Sequence, residues 1–429
     1  MWHSSYPQAD EAPPSAVVGS DTTKGARQRT LVVITQPYVP DPAAVGQHVA
    51  DAAAEMARRG WRVVVYTASR GYDDPTVTYP RRENIDGVEV IRLPFSSLGK
   101  GSMGVRLLGQ VVFLVQAVVR AMFVKDVGCL LVTTAPPIAS AAGWFLSVLR
   151  RLPVTYWVMD LNPDQVVRMG LLPARSLPVR VFEFLNRLIL NRASHVVALD
   201  RFMAELVRRK VDVSHKMFVV PPWPLEHHLE PVARDENRFR KRHGLEGKVV
   251  VMYSGNHSPA NPLATILAAA ERLKSDSRFA FAFVGGGKGK REVEEAIARG
   301  AINIFSFPYQ RLEDLGESLS AGDIHVVSVG DAVVGVVHPC KIYGAMAVGR
   351  PVLTLGPAEC HLADLVDRFA IGFHVAHGDV DAAVKALVHL AGLPAGDLAA
   401  MGRRGRDGIE RELTQASLRA KVCDVLELC

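Results

Sequence analysis

The chain has 429 residues, 48% hydrophobic and 22% charged, which is too long for one ordinary core and suits two domains. Five scattered cysteines with no CxxC and no Cys/His cluster argue against a disulfide scaffold or a zinc module and point to reduced thiols in a cytosolic protein. The net charge of +6 is uneven: residues 1–222 hold 26 basic and 18 acidic residues, +8, against −2 on the remainder, so the first half suits an anionic partner, while the lack of an aromatic-interleaved basic run argues against nucleic acid.

Residues 1–29 are polar, with Pro and Gly and no apolar signal core, and are expected to form a disordered leader. From TLVVITQ (30–36) the pattern alternates strand and helix. The loop PYVPDPAAVG leads to a helix over 47–59, followed by strands at 61–67, 88–93, 127–134, 153–159, 194–199 and 216–220. Continuous apolar strands between amphipathic helices predict an α/β domain over 30–222, with a parallel sheet covered on both faces. The longest apolar run, LLGQVVFLVQAVV (107–119), is too short to span a bilayer and is flanked by Arg106 and Arg120. PPWPLEHHLEP (221–231) is a Pro-rich break, and a linker is expected over 223–247. The alternation restarts over 248–410, with strands at 249–254, 279–285, 302–307, 323–329, 351–355 and 372–375. The helical end, 411–429, either stays on the second domain or crosses back over the hinge. Two doubly wound domains facing each other create a cleft at the carboxyl ends of their strands.

Three loops of the second domain follow predicted strands. In YSGNHSPAN (253–261), Gly255 allows close backbone approach, and Asn256 or Ser258 suits a helix cap. In VGGGKGKRE (284–292), three glycines with Lys288, Lys290 and Arg291 precede a helix, which is either a phosphate cradle or a flexible loop with solvated lysines. It matches neither GxGxxG nor GxxxxGKS. In VGVVHPCKIYGAMAVGRPVL (334–353), a helix is expected from near Pro339 to a C-cap at Gly349. Lys341 stands in its first turn, where the helix dipole disfavours a cation. An anion held by the backbone N–H groups of Val336, Val337 and His338, with Gly335 permitting close approach, accounts for it; a snorkelling lysine is the alternative. In the first domain, Asp160 follows an apolar strand and either takes a proton in the cleft or caps the next turn. Asp164 lies one short loop on. D-x-D occurs only at 379–381, where Asp379 suits a helix N-cap, so no essential metal or cofactor is expected.

Residues 30–425 resemble the two-domain GT-B glycosyltransferases of the family 4 type, in particular the bacterial sugar transferases of exopolysaccharide and O-antigen assembly. The resemblance rests on TQPYVPDPAAVGQHVADAAAEMARRGWRVVVYTA, TTAPPIAS, VMDLNPDQ, YSGNHS, FVGGGKGK and HPCKIYGAMAVGRPVL, in the family's order across both domains. It implies a GT-B fold, a nucleotide-diphosphate sugar donor (a UDP-sugar) on the second domain, and an acceptor on the first. It also implies that Gly255 and Asn256 lie against the diphosphate, that Lys288 neutralises phosphate, and that Tyr309 lies near the nucleobase. Val336, Val337, His338 and Lys341 would hold the diphosphate, and the Gly46 loop would bring the first domain's helix N-terminus to donor and acceptor. The family's glutamate pair would fall at Val336 and Gly344, neither acidic; ribose contacts must come from elsewhere, with Glu359 the candidate, or the donor site is weaker.

The function expected is therefore a cytosolic glycosyltransferase acting on a lipid-linked or glycan acceptor, with retention. A UDP-sugar epimerase would need acid/base groups from both domains around the sugar, a set the sequence does not assemble. A non-catalytic nucleotide-sugar-binding subunit would explain the missing glutamates. The segment 103–125, with Arg106, Arg120 and Lys125, together with Arg150, Arg151, Arg180, Arg187 and Arg192, suggests peripheral attachment to an anionic membrane surface, most of the apolar residues being expected in the core.

Overall fold

The computed structural model describes residues 28–41, 43–71, 76–96, 103–225 and 229–429, so the expected leader lies almost wholly outside the described residues. The first sheet contains β1 (Thr30–Ile34), β2 (Arg62–Ala68), β3 (Arg82–Ile85), β4 (Val88–Leu93), β5 (Val127–Thr133), β6 (Val154–Trp157), β7 (His195–Ala198) and β8 (Met217–Val219). Its order is β3-β4-β2-β1-β5-β6-β7-β8. All pairs are parallel except β3–β4. The antiparallel β3 was not foreseen: its RENI sequence is polar, and the pairing comes from the Asp86-Gly87 turn, both residues at positive φ (51° and 82°).

The second sheet contains β9 (Val249–Ser254), β10 (Phe279–Val284), β11 (Ile304–Phe307), β12 (Ile324–Ser328), β13 (Val352–Leu355) and β14 (Gly372–Val375), in the order β11-β10-β9-β12-β13-β14. Every pair is parallel. Such all-apolar strands as FAFAFV, buried at each position, need helices on both faces.

The first sheet is covered by α1 (Ala44–Arg58), α2 (Met103–Ala121), α3 (Ala139–Leu149), the short α4 (Asp164–Arg168), α5 (Leu177–Arg192) and α6 (Arg201–Lys210). The second domain adds α7 (Arg238–Arg242), α8 (Ala264–Arg272), α9 (Lys290–Ala298), α10 (Leu315–Ser320), α11 (Lys341–Ala347), α12 (His361–Phe369), α13 (Val380–Gly392) and α14 (Ala395–Arg411). The last helix, α15 (Gln415–Glu427), takes the crossing alternative. Arg59 of α1 pairs with Asp424 at 2.7 Å and Glu427 at 2.8 Å, and Gln415 donates to Asp51 at 2.9 Å. Trp223 donates to the same Asp51 carboxylate at 2.8 Å, so both chain crossings seat on α1.

The expected linker 223–247 is less extended than its Pro content suggests. Trp223 is buried, and α7 packs on the second domain, where the buried Arg240 donates to Asp323 at 3.0 Å and to the Ala321 carbonyl at 2.8 Å. Buried groups of both domains and α15 form one hydrophobic cluster, while a second fills the space between the second sheet and α8, α9 and α13.

Candidate active site in the interdomain cleft

The donor side begins with two loops locked together by glycine. Gly255, Gly285 and Gly287 have φ of 119°, 121° and 120°, which side chains rarely adopt. A Cβ on Gly285 would run into the Gly255 carbonyl, and one on Gly287 into Asn256. The loops then pair: His257 N–H donates to Gly286 O at 2.7 Å and Gly289 N–H to His257 O at 2.8 Å. These glycines are thus required for packing one loop on the other. Neither Asn256 nor Ser258 caps a helix, because α8 starts only at Ala264, with no side-chain cap. Lys290, expected among the phosphate groups, turns inward to the carbonyls of Gly285 and Phe307. Arg291 pairs with Glu295 at 3.2 Å but, with the exposed Lys288, lines a cavity of about 500 Å³ between the loop before α8 and the first turn of α9. Exposed Tyr309 lies over Gly286, its hydroxyl 3.3 Å from that carbonyl.

Lys341 opens α11, and Gly349 follows its end at φ 64°, as its sequence pattern indicates. The lysine stem crosses Gly255, where a Cβ would come within 3.0 Å of Cε. Its ammonium lies 5.5 Å from the Tyr253 ring centre and donates to Asn261 Oδ1 at 3.1 Å. Burial lowers its pKa to about 8, with Cys340 acting weakly in the opposite sense. An ammonium has three donors, and among the described residues one side-chain acceptor, Asn261 Oδ1, stands at hydrogen-bond distance, an arrangement that suits a group meeting an anion.

The backbone before α11 corrects one expectation. The N–H groups of Val336 and Val337 both turn back to Val333 O, at 3.0 and 3.2 Å, so neither is free for a phosphate. Val336 is buried, and its carbonyl accepts the N–H of Leu161 from the first domain at 2.9 Å. Gly335, at φ 71°, would place a Cβ 2.7 Å from the backbone of Phe202. This loop is therefore an interdomain contact.

His338 is engaged too. Its Nδ1 lies 2.8 Å from Asp200 Oδ2, its Nε2 lies 2.9 Å from Tyr343 Oη, and that oxygen lies 3.1 Å from His361 Nε2. If Nδ1–H donates to Asp200, Tyr343 O–H donates to His338 Nε2 and His361 Nε2–H donates to Tyr343, one proton arrangement satisfies the chain. Burial pushes the His361 pKa down to about 3, reinforced by His338. Asp200, which also caps α6 by accepting Met203 N–H at 2.8 Å, has its pKa lowered: burial alone would raise it, but the hydrogen bond from His338 outweighs that. Asp200, His338 and His361 stand close enough to surround a cation, yet the hydrogen-bond chain already engages Asp200 Oδ2, both ring nitrogens of His338 and Nε2 of His361.

On the first domain, Asp160 sits between β6 and α4 with its N–H donated to Thr134 Oγ1 at 3.0 Å. It caps no helix, since α4 starts at Asp164 behind Pro163 without a side-chain cap. Burial raises its carboxyl pKa to about 6, with His338 pulling in the opposite sense. Asp164 does not share this role: Lys210 holds it at 2.7 Å and also holds Glu183. Gly46 lies inside α1, which starts three residues before the expected 47; there its missing Cβ lets the helix approach the Tyr38 N–H, to 3.0 Å from a would-be Cβ. Two residues on, buried His48 meets Trp223 edge-on at 4.9 Å with Nδ1 unpartnered, and burial, then His338, lowers its pKa to about 3. Glu359 is exposed on the loop after β13, and Gly344 is buried in α11.

Asp200, Tyr343, His361 and His48 escaped the sequence reading because no local pattern marks them; their partners lie far along the chain. Asp200, just past the expected strand 194–199, is an N-cap residue type, but nothing local points it at His338.

Two facing α/β domains, with Lys341 on one and Asp160 on the other, form a GT-B fold. Residues 43–223 match the glycosyl transferase 4-like domain, and residues 248–392 match glycosyl transferases group 1. The chain belongs to the GT-B glycosyltransferases. It is 26% identical over 267 residues to the probable glycosyltransferase WbjE of Pseudomonas aeruginosa, covering 60% of this chain and 64% of that one. It is 30% identical over 183 residues to the putative colanic acid biosynthesis glycosyl transferase WcaI of Escherichia coli K12, covering 42% and 45%. The matched stretches thus span less than two thirds of either relative.

Among solved structures, sucrose-phosphate synthase of Thermosynechococcus elongatus superposes with a TM-score of 0.74 at 17% identity, over 94% of this chain and 99% of that one. Anabaena HepE in complex with UDP and glucose gives 0.69 at 16%, over 94% and 100%. These likenesses show a shared fold.

Proposed function

We propose that the protein transfers a sugar from a UDP-sugar to a lipid-linked or glycan acceptor, with retention, in the cleft between the two domains. The observation that carries this reading is that the bond from Leu161 N–H to Val336 O, 2.9 Å long, joins the loop that carries Asp160 to the loop that leads into Lys341. Lys341 is a buried ammonium beside Gly255 and Asn261 that neutralises donor diphosphate; Asp160, poised near pH 6, receives the acceptor hydroxyl's proton. Lys288 and the Tyr309 platform extend the donor site, and His338 is a positioning residue that ties Asp200 to the donor loop. The UDP and UDP-glucose in the HepE structures support the choice of donor. Because Lys341 supplies positive charge at the diphosphate, the transfer needs no divalent ion. UDP release measured in chelator with and without candidate lipid and glycan acceptors is expected to depend on acceptor. Acceptor-independent turnover of the sugar without UDP release would favour an epimerase, and no turnover with any acceptor would favour a binding subunit.

The first domain also supports attachment to the cytoplasmic face of a membrane. No helix among the described residues is long and apolar enough to cross one. The 103–125 segment is not mostly core, however: Phe123 is 81% exposed, and Leu108, Val115 and Val119 are each more than half exposed. The ranges 103–125, 139–151 and 177–192 carry eight basic residues and one glutamate. Each basic group near an anionic surface contributes about 1 kcal/mol. The protein is expected to co-sediment with anionic vesicles, to bind neutral ones poorly and to release as salt rises. Equal partition onto both kinds, or onto neither, would show the positive excess to be an ordinary solvated surface.

A further inference from the structure

The apolar face of the first domain is concave. α3 carries the small residues Ala139, Ser140, Ala141, Ala142 and Gly143 in its first half. A Cβ on Gly143 would approach Val132 of the sheet to 3.0 Å and Ile189 to 3.1 Å, so the helix sits deep. α2 and α5 rise on either side as walls. The trough between them has a volume of about 920 Å³, floored by Ile138, Ala141 and Phe145 and walled by Leu107, Val115 and Val181, with almost no polar surface. Ligand pockets of this size ordinarily contain a few polar groups that orient a ligand. A trough without them suits an occupant that has no hydrogen-bonding group along its length.

We propose that this trough seats one long hydrocarbon chain of a lipid-linked acceptor, an inference that rests on the transferase reading above for what the chain carries. Three observations select that occupant. The first is position: the Ile138 end of the trough lies four residues after Thr134, whose hydroxyl holds the Asp160 N–H, so it is the end on the candidate base's side of the sheet. The second is length. From Leu107 to Met122 the wall runs about 22 Å at 1.5 Å per residue, longer than one leaflet's roughly 15 Å of hydrocarbon, which suits a long single chain. The third is charge. Arg150 donates to Ala121 O at 2.8 Å and Arg192 to Ser147 O at 2.9 Å. These guanidiniums rim the end remote from the cleft. With eight basic residues against one glutamate on these segments, a self-complementary pairing of two copies would set like charges together, whereas an anionic lipid surface is complementary.

The test uses a diazirine-bearing hexadecyl phosphate and its hexyl analogue as photolabels on the full chain. The long probe is expected to label residues 138–149 and the facing walls at least ten times more than the short one. Ala141→Trp, which fills the floor, or Val181→Trp, which fills from the wall should the first not fold, is expected to cut that labelling about tenfold. Phe123→Ser, outside the trough, should weaken vesicle attachment and leave the labelling in place. Unlabelled hexadecyl phosphate should compete, and a diacyl phosphoglyceride should not. Labelling unchanged in both tryptophan variants, labelling scattered over the surface, or equal displacement by the diacyl lipid would overturn the proposal, the last by assigning the trough to bulk membrane. Labelling needs neither donor nor turnover, so trough labelling without UDP release from any acceptor would support the trough and overturn the transferase reading.

Discussion

Lys341→Ala is expected to weaken UDP binding by about 10- to 150-fold, the equivalent of roughly 1.5–3 kcal/mol for a lost charge-assisted hydrogen bond. The ammonium is buried against Gly255 and Tyr253, with Asn261 at hydrogen-bond distance. Its pKa of about 8 gives the effect a pH signature. Below pH 8 the charge is in place and UDP affinity is level; as pH rises further the ammonium must be recharged on binding, and affinity falls by up to tenfold per unit. Lys341→Met should lose that dependence. The linked stability runs the other way. A lysine with its folded pKa below the usual 10.5 penalises the empty fold while charged, and the penalty is relieved between about pH 8 and 10.5. The alanine variant is therefore expected to be as stable as the parent at neutral pH, or more so, its removed cation having stood at the positive end of α11. Calorimetry showing unchanged UDP affinity would refute the donor-site reading.

Asp160→Asn is expected to lower turnover by roughly 10²- to 10⁴-fold, the usual range for a positioned general base, while UDP affinity stays nearly intact because the residue stands on the first domain. In the parent enzyme kcat/KM should fall with acid through a midpoint near pH 6, since the carboxyl pKa is raised to about 6 by burial; the variant should lack this limb. The sign for folding follows from the same shift. An acid with its folded pKa above the unfolded 3.8 takes up protons in the native state, so its ionisation costs stability between about pH 3.8 and 6 and above. The variant is expected to melt no lower than the parent at pH 7. Turnover within a few-fold of the parent would show that the donor phosphate or another group takes the proton.

Much of the fold is legible in the sequence because its signals are local. VVVMYS matches β9 residue for residue, since an apolar run between turn residues needs no distant information to become a buried parallel strand; GFHV matches the half-buried β14 as well. Gly349 and Asp379 cap their helices for reasons contained within a few residues: positive φ in the first case, and a side chain reaching Ala382 N–H at 2.9 Å in the second. Lys341 stands out for the same reason, a charge of the wrong sign for its place in a helix.

The tertiary structure decided what each charged group meets. Lys290 and Lys288 belong to one glycine-rich loop, yet one turns to two carbonyls and the other lines the cavity. Asp160 and Asp164 lie one turn apart, yet only Asp164 meets a lysine, 46 positions away at Lys210. Val336 and Val337 lost their expected role to Val333, and His338 gained Asp200 from the other domain. Periodicity and capping are short-range properties of a chain, whereas the pairing of a hydrogen bond or an ion pair depends on which distant residue the packed sheets bring within about 3 Å. The trough follows the same division. The small residues of α3 can be read in order, but only the depth to which they let that helix sink beneath α2 and α5 turns an amphipathic pattern into a concave site.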